Sequence, residues 1–385
     1  MKAATVKKYR ASWFTHESSG AFIPIALAGE RGRLKKPVSS TRGRNRDECA
    51  TKFMMRLPKF TYQVPRTVAD AVRMIADAGP EGMFVAGGTD LYPNMKRRQQ
   101  TPKFVISVMR LAEMHAITGD EKSGVIIGGS VTLTEICKNK TIQQVYPVVA
   151  QAAKLISTPL LRNMGTIGGN LLLDTRCNYY DQNYEWRKGI NFCMKKDGDV
   201  CWVAPGSSKC WAVQSSDLAP VMVALDAKLK FVSIDGERVV RASDLYNNDG
   251  INYLNKRRDE MLTSIHLPPM NGLKATYHKL RRRGSFDFPV LGVAAAVKVA
   301  NGGTIENARV VLGGVAPAPI EVGDAAAQLT GQPFNADRIA AAAEACYIKA
   351  RPLDNTDFVM GWRKQMARPF TIQALKELWQ LNKTE

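Results

Sequence analysis

Between Arg162 and Pro220 the chain holds residues suited to two kinds of chemistry. RNMGTIGGN (Arg162 to Asn170) is rich enough in glycine for backbone amides to approach a ligand without side chains in the way, as a phosphate requires. SSDLAP (Ser215 to Pro220) follows, and between the two lie Cys177, Cys193, Cys201 and Cys210, four of the seven cysteines, separated by 15, 7 and 8 residues. Four thiolates are enough for an iron–sulfur cluster or a structural zinc. Zinc ligands usually come in pairs about two to four residues apart, and this segment has no C-x-x-C, nor the bacterial ferredoxin spacing. On the residues alone, cluster and zinc both stay open. Tyr179, Tyr180, Trp186, Trp202 and Trp211 surround the thiols, either as a shell that limits solvent or as the packing of a small insert.

A second glycine segment stands upstream. MFVA (Met83 to Ala86) reads as a buried strand running into GGTDL (Gly87 to Leu91), with no partner strand at hairpin spacing. This is the pattern of a phosphate-approach turn, or of a plain strand-ending loop. It is neither a Rossmann fingerprint nor a Walker loop. No His-Asp-Ser set, H-E-x-x-H or nucleophile–base pair is present, and His16, His115, His266 and His278 are dispersed, so no catalytic residue is assigned.

These segments need elements to position them. Thr67 caps a helical pattern to Ala78 with apolar residues at 68, 71, 72, 75 and 76, stopped by Gly79-Pro80. Phe104–Val108 and Val125–Gly128 read as strands, Val131–Ile136 as a turn into a helix, and Pro147–Ile156 as an amphipathic helix leading to the glycine turn at Gly165 to Asn170. After the cysteines come a short helix and strand (Pro220–Ile234) and a hairpin turn at Asp235–Arg238 with its partner strand from Val239 onward, and MLTSIHLPP (Met261 to Pro269) closes the stretch. Pro268-Pro269 and Asn271-Gly272 mark a domain boundary. Beyond it, three strands (Ala275–Arg281, Leu291–Val299, Ile305–Leu312) and alanine-rich helices at 322–330, 336–350 and the C-terminus form an α+β unit.

At 385 residues, 45% hydrophobic and 23% charged, the composition is globular, with no apolar run of the roughly 18 residues a membrane span needs. The formal charge of +19 invites a nucleic-acid partner, but residues 1–56 hold 13 Lys/Arg against 4 Asp/Glu and so supply +9 of it. Residues 1–54 read as a basic, disordered extension, or as sequence upstream of a functional start at Met54 or Met55. An odd cysteine count without a secretory signal pattern points to a reducing, cytoplasmic setting, with Cys49, Cys137 and Cys346 structural or incidental.

With GGTDL from Gly87, TIGGN from Thr166, SDLAP from Ser216, DFP from Asp287 and GGVAPAP from Gly313 to Pro319, in this order, the chain from about Met55 onward resembles the FAD-binding medium subunit of the molybdenum hydroxylase (xanthine dehydrogenase) family. The four cysteines resemble, in number, order and location, the insertion of one branch, the 4-hydroxybenzoyl-CoA reductase β subunits. The resemblance implies an α+β chain: a two-subdomain FAD-binding α/β fold of PCMH/vanillyl-alcohol-oxidase type over 55–271, an iron–sulfur insert at about 174–214, and a C-terminal α+β domain over 272–385. It implies FAD contacts from Phe84, Val85, Ala86, Gly87, Gly88, Thr89, Asp90 and Leu91, from Thr166, Ile167, Gly168, Gly169 and Asn170, and from Ile156. Asp217 is implied on the ribose or adenosine side, the alternative being a helix N-cap, and Lys279 near the flavin ring or as an exposed strand lysine.

Cys177, Cys193, Cys201 and Cys210 are implied as ligands of a [4Fe–4S] cluster. The function so implied is electron transfer, from a low-potential donor such as ferredoxin through cluster and FAD to a [2Fe–2S] small subunit and a molybdenum-cofactor large subunit. The assembly would be a dimer of heterotrimers that removes the phenolic hydroxyl of 4-hydroxybenzoyl-CoA, with no membrane and no nucleic acid involved. The alternatives are a medium subunit of an aromatic or heterocycle hydroxylase, and a zinc-stapled basic nucleic-acid-binding protein, which gives the two glycine segments no role.

Overall fold

The computed structural model describes residues 55–382; the basic segment 1–54, with Cys49, and the last three residues lie outside the described residues. The chain enters through β1 (Thr61–Gln63), α1 (Val68–Ala78), β2 (Gly82–Val85), α2 (Leu91–Lys96) and β3 (Phe104–Ser107). The helix starts where expected, with the Thr67 hydroxyl accepting from the Asp70 amide at 3.0 Å. Its apolar face, Ala71, Val72 and Ile75, packs against Ile106 and Met114. β1 and β2 both run parallel to β3, in the order β1-β3-β2. The first glycine segment is the link from β2 to α2.

Next come β4 (Ile117–Asp120), β5 (Gly124–Gly128), α3 (Leu133–Lys138), α4 (Lys140–Val145), α5 (Pro147–Leu155), α6 (Pro159–Arg162), α7 (Ile167–Leu171), α8 (Tyr184–Gly189), α9 (Leu218–Ala224), β6 (Lys228–Ser233), β7 (Gly236–Arg241) and β8 (Met261–Leu267). The sheet order is β4-β5-β8-β6-β7 and every pair is antiparallel, so the mixed α/β FAD-binding unit carries an antiparallel sheet in this second subdomain. Short turns between β4 and β5, and between β6 and β7, leave no room for a parallel crossover. The expected glycine turn at 165–170 is corrected: Thr166 caps α7, its hydroxyl accepting from the Gly169 amide at 3.0 Å. Two glycines in five residues hide that helix from propensity.

The C-terminal part comprises β9 (Leu273–Leu280), β10 (Leu291–Val299), β11 (Ile305–Gly313), β12 (Ile320–Glu321), α10 (Gly323–Leu329), α11 (Ala336–Lys349) and α12 (Met360–Leu381), with the antiparallel order β12-β11-β10-β9. Alternation along β10 is decisive. Leu291, Val293, Ala295 and Val297 join the core under α10, α11 and α12, whereas Ala294 and Ala296 join the core of the second subdomain beside α5 and α9. The sheet is therefore buried on both faces, which explains the unbroken apolar run of β10. Residues on either side of the expected boundary at 271 thus share one core. Among the described residues no helix is long and apolar enough to cross a membrane.

Arg363 of α12 ties the loops of the C-terminal part together. Fully buried, it donates to the carbonyls of Val290 (3.1 Å), Leu353 (2.9 Å) and Gly314 (2.7 Å) and reaches Asn355 Oδ1 at 3.5 Å. Burial lowers its pKa to about 10, which leaves it charged at neutral pH. Replacing Arg363 by Met would strand these acceptors in the interior. The expected loss is about 3 kcal/mol in urea denaturation; a loss under about 1 kcal/mol would mean that the carbonyls find other partners.

Candidate functional site

A cavity of about 1260 Å³ lies between the two subdomains. It exceeds the roughly 300–1,000 Å³ of drug-sized ligand sites and has room for a dinucleotide. All eight residues from Phe84 to Leu91 line it, as do Ile156, Thr166, Gly168, Gly169, Asn170 and Asp217. Both glycine segments thus meet at one site, and they touch. A Cβ on Gly87 would stand 1.7 Å from the Met164 carbonyl oxygen, so only glycine allows the first loop to close on the second.

Ile167 and Lys279 do not line the cavity. Ile167 points down from α7 into the hydrophobic core. Lys279 is buried, its ammonium on Asp217 Oδ2 (3.0 Å) and on the carbonyls of Leu155 (3.1 Å) and Asp287 (2.9 Å). The other Asp217 oxygen accepts from the Tyr277 hydroxyl at 2.9 Å. Burial raises the Asp217 pKa, and Lys279 and Tyr277 oppose the rise. Asp217 stands at the N-cap position of α9, but its side chain makes no capping bond and is given over to Lys279 and Tyr277. Asn170 Oδ1 is likewise occupied, accepting from the Ser216 hydroxyl (2.7 Å) and the Leu218 amide (3.3 Å), so it ties α7 to the start of α9.

The cavity also has a cationic side that the sequence reading missed. Arg97, Arg176, Lys256 and Arg258 line it, drawn from three separate loops, and nothing in their local sequence marks them. Arg176 holds Asp90 at 2.6 Å and lies 3.9 Å over the Phe288 ring. Burial raises the Asp90 pKa against the pull of Arg176 and lowers that of Lys256 to about 8. Arg97 Nη1 and Arg176 Nε are buried without a hydrogen-bond partner. Guanidinium groups with donors to spare beside glycine loops fit an anionic ligand such as a dinucleotide pyrophosphate.

The four cysteines converge as well. Cys177, Cys193, Cys201 and Cys210 are all free, all buried, and line one small pocket with Tyr179, Tyr180, Trp202 and Lys195. Cys177, Cys193 and Cys201 each open a turn, their carbonyls accepting from the amides of Tyr180 (2.9 Å), Lys196 (2.9 Å) and Ala204 (3.0 Å). The amides two residues on, Tyr179 and Ala212, point at the sulfurs of Cys177 and Cys210. Such N–H···S bonds favour a thiolate. Burial above all, with the neighbouring thiols adding to it, pushes the Cys177 thiol up to about 12 and Cys210 to about 11, so without a metal both stay protonated and inert.

One tetrahedral zinc needs four sulfurs about 3.8 Å apart. Among the described residues no three His, Cys, Asp or Glu groups converge closely enough for a single ion. Cys177 also lines the large cavity, so the two sites share a wall.

Residues 58–270 match the family model "FAD binding domain in molybdopterin dehydrogenase", and residues 275–378 match "CO dehydrogenase flavoprotein C-terminal domain". The chain is 32% identical over 286 residues to the aldehyde oxidoreductase FAD-binding subunit PaoB of Escherichia coli K12, covering 70% of this chain and 86% of that one. It is 26% identical over 323 residues to the carbon monoxide dehydrogenase medium chain of Hydrogenophaga pseudoflava, covering 84% and 98%. The solved structure of that Hydrogenophaga enzyme superposes with a TM-score of 0.69 at 25% identity, over 84% of this chain and 99% of the other.

The contact at Gly87 is open to test. Gly87→Ala should abolish copurification of a flavin, read as the ratio of absorbance near 450 nm to protein, because the loops would have to part. A variant that keeps its full flavin content would show that the contact does not shape the cavity.

Proposed function

The chain belongs to the FAD-binding medium subunits of the molybdenum hydroxylase family, and from that premise we propose that it is an electron-transfer subunit with two redox sites, FAD in the large cavity and a [4Fe–4S] cluster in the four-cysteine pocket. The observation that carries this reading is the convergence of four buried thiols on a pocket that shares Cys177 with the wall of the flavin cavity. FAD supplies exchange of one or two electrons, and a cluster supplies exchange of one. The chain's own residues bind, orient and exclude water. Gly87 and Gly88 bring backbone to the pyrophosphate, Arg97 and Arg176 offer it positive charge, and Tyr180 and Trp202 cover the thiols. Asp217 is read as a wall residue that fixes the floor of the cavity, and Lys279 acts through it.

The four-cysteine segment favours the reductase branch. In that reading the partners are a [2Fe–2S] small subunit and a molybdenum-cofactor large subunit in a dimer of heterotrimers, with a ferredoxin-type donor in the cytoplasm. The substrate is 4-hydroxybenzoyl-CoA, reduced on the large subunit. A second reading, oxidation of an aldehyde by the large subunit, is favoured by the 32% identity to a subunit named for that activity. Assay of the assembled complex with each substrate separates them.

The cofactor reading itself is tested on anaerobically purified protein. About four iron and four acid-labile sulfide per FAD are expected, with both lost and FAD retained in Cys193→Ser. FAD with about one zinc and no sulfide would remove the cluster and leave a single-site flavoprotein.

A further inference from the structure

A buried lysine stands inside the cysteine segment without being a ligand. Lys195 lines the same pocket as the four thiols, its side chain only 6% exposed. All three ammonium protons are used, on Asp174 Oδ1 (2.9 Å), Thr175 Oγ1 (2.7 Å) and the Gly250 carbonyl (2.6 Å), so its position is fixed. The rings of Tyr180 and Tyr253 flank it at 4.8 and 5.1 Å. Gly250 links it to a thiol. Its amide donates to the Cys210 carbonyl at 2.8 Å, and a Cβ there would lie 2.8 Å from the Cys210 sulfur. The ammonium is thus one peptide group from a cysteine sulfur. Its partner Asp174 faces the other way, lining the flavin cavity and accepting from Gln100 (3.2 Å) and Tyr180 (3.1 Å). The pair forms an oriented dipole with its positive end toward the cysteines.

We propose that Lys195 sets the reduction potential of the centre held by the four cysteines, with Asp174 as the opposing charge on the flavin side; the inference rests on the cluster reading above. Reduction adds one electron to a site already carrying four thiolates. A buried cation stabilises the reduced form over the oxidised form, and in a poorly screened interior the effect is large. A buried anion on the far side of that cation acts in the opposite sense and more weakly. Lys195 is therefore a positioning residue for charge, and a purely structural tie between Asp174 and Gly250 would give no such pair of opposite effects.

The test is a dye-mediated redox titration of the holoprotein, followed by the electron paramagnetic resonance signal of the reduced cluster. Lys195→Met keeps the apolar stem and removes the charge. At a potential where the wild-type cluster is half reduced, it should show a reduced-to-oxidised ratio about tenfold lower. Asp174→Asn should move the ratio upward, and Lys195→Arg should stay within about twofold of wild type. A fully loaded Lys195→Met protein that titrates with wild type would overturn the proposal, as would Asp174→Asn shifting downward. If Lys195→Met fails to assemble the cluster, the Asp174→Asn shift decides. Wild-type protein without iron and sulfide would overturn the cluster reading and this inference with it, whereas a loaded cluster at unchanged potential overturns the inference alone.

Discussion

A carboxylate cut off from water governs how the two halves of the described chain meet. Asp217 at the start of α9 is buried, and an unpaired charge there would have to neutralise or reach solvent. Both partners, Tyr277 and Lys279, lie two residues apart on one face of β9, so a single strand satisfies both oxygens. Lys279 then spends its remaining protons on the end of α5 and on the link between β9 and β10. One buried charge thereby pins two helices, a strand and a loop beneath the cavity floor. Removing either member of such a pair typically costs about 3–5 kcal/mol, because the survivor stays buried and charged.

The cavity above that floor is polarised. Its glycine walls are neutral and admit close approach, while Arg97, Arg176, Lys256 and Arg258 place positive charge around an opening meant for an anion. Acidic groups are not excluded; Asp90 and Asp181 sit among the arginines and hold them in place, Asp181 lying 3.6 Å from Arg176 and 3.9 Å from Arg97. Across the shared wall the surroundings are apolar and aromatic, which suits a redox site that must be shielded from water. Each site is therefore dressed for its own chemistry, with Cys177 at the seam.

Local signals in the sequence were sufficient where the physics is local. Thr67 and its apolar stripe announced α1, and the alternation from Leu291 announced a buried strand. The glycine segments announced backbone that lines the large cavity, and the number and place of the cysteines announced a shared pocket. What escaped were arrangements made by distant residues. TIGGN reads as a turn because nothing nearby reveals that Thr166 will cap it. Lys279 reads as a flavin neighbour or a surface lysine because its partner Asp217 lies far back in the chain, and Tyr277, the third member, carries no signal at all. Ile167 sits in a ligand motif yet faces the core, since a helix turns it away from its neighbours. The cationic lining was invisible for the same reason, being assembled from three loops.

The cysteine segment has a neck. Arg176 and Val213 exchange backbone hydrogen bonds at 2.9 and 2.7 Å, so the chain leaves and returns at one point. Asn355 clamps both sides, accepting from the Asn178 amide at 2.9 Å and donating to the Trp211 carbonyl at 2.6 Å. Closing a loop at a fixed pair of residues costs an entropy that grows only slowly with the length of chain between them. The scaffold is thus nearly indifferent to whether a few residues or a whole thiol-bearing module hangs from that point. Such a junction makes the module excisable and transplantable, and a lineage could gain or lose the four-cysteine segment there by one insertion or deletion without redesigning the flavin site beside it.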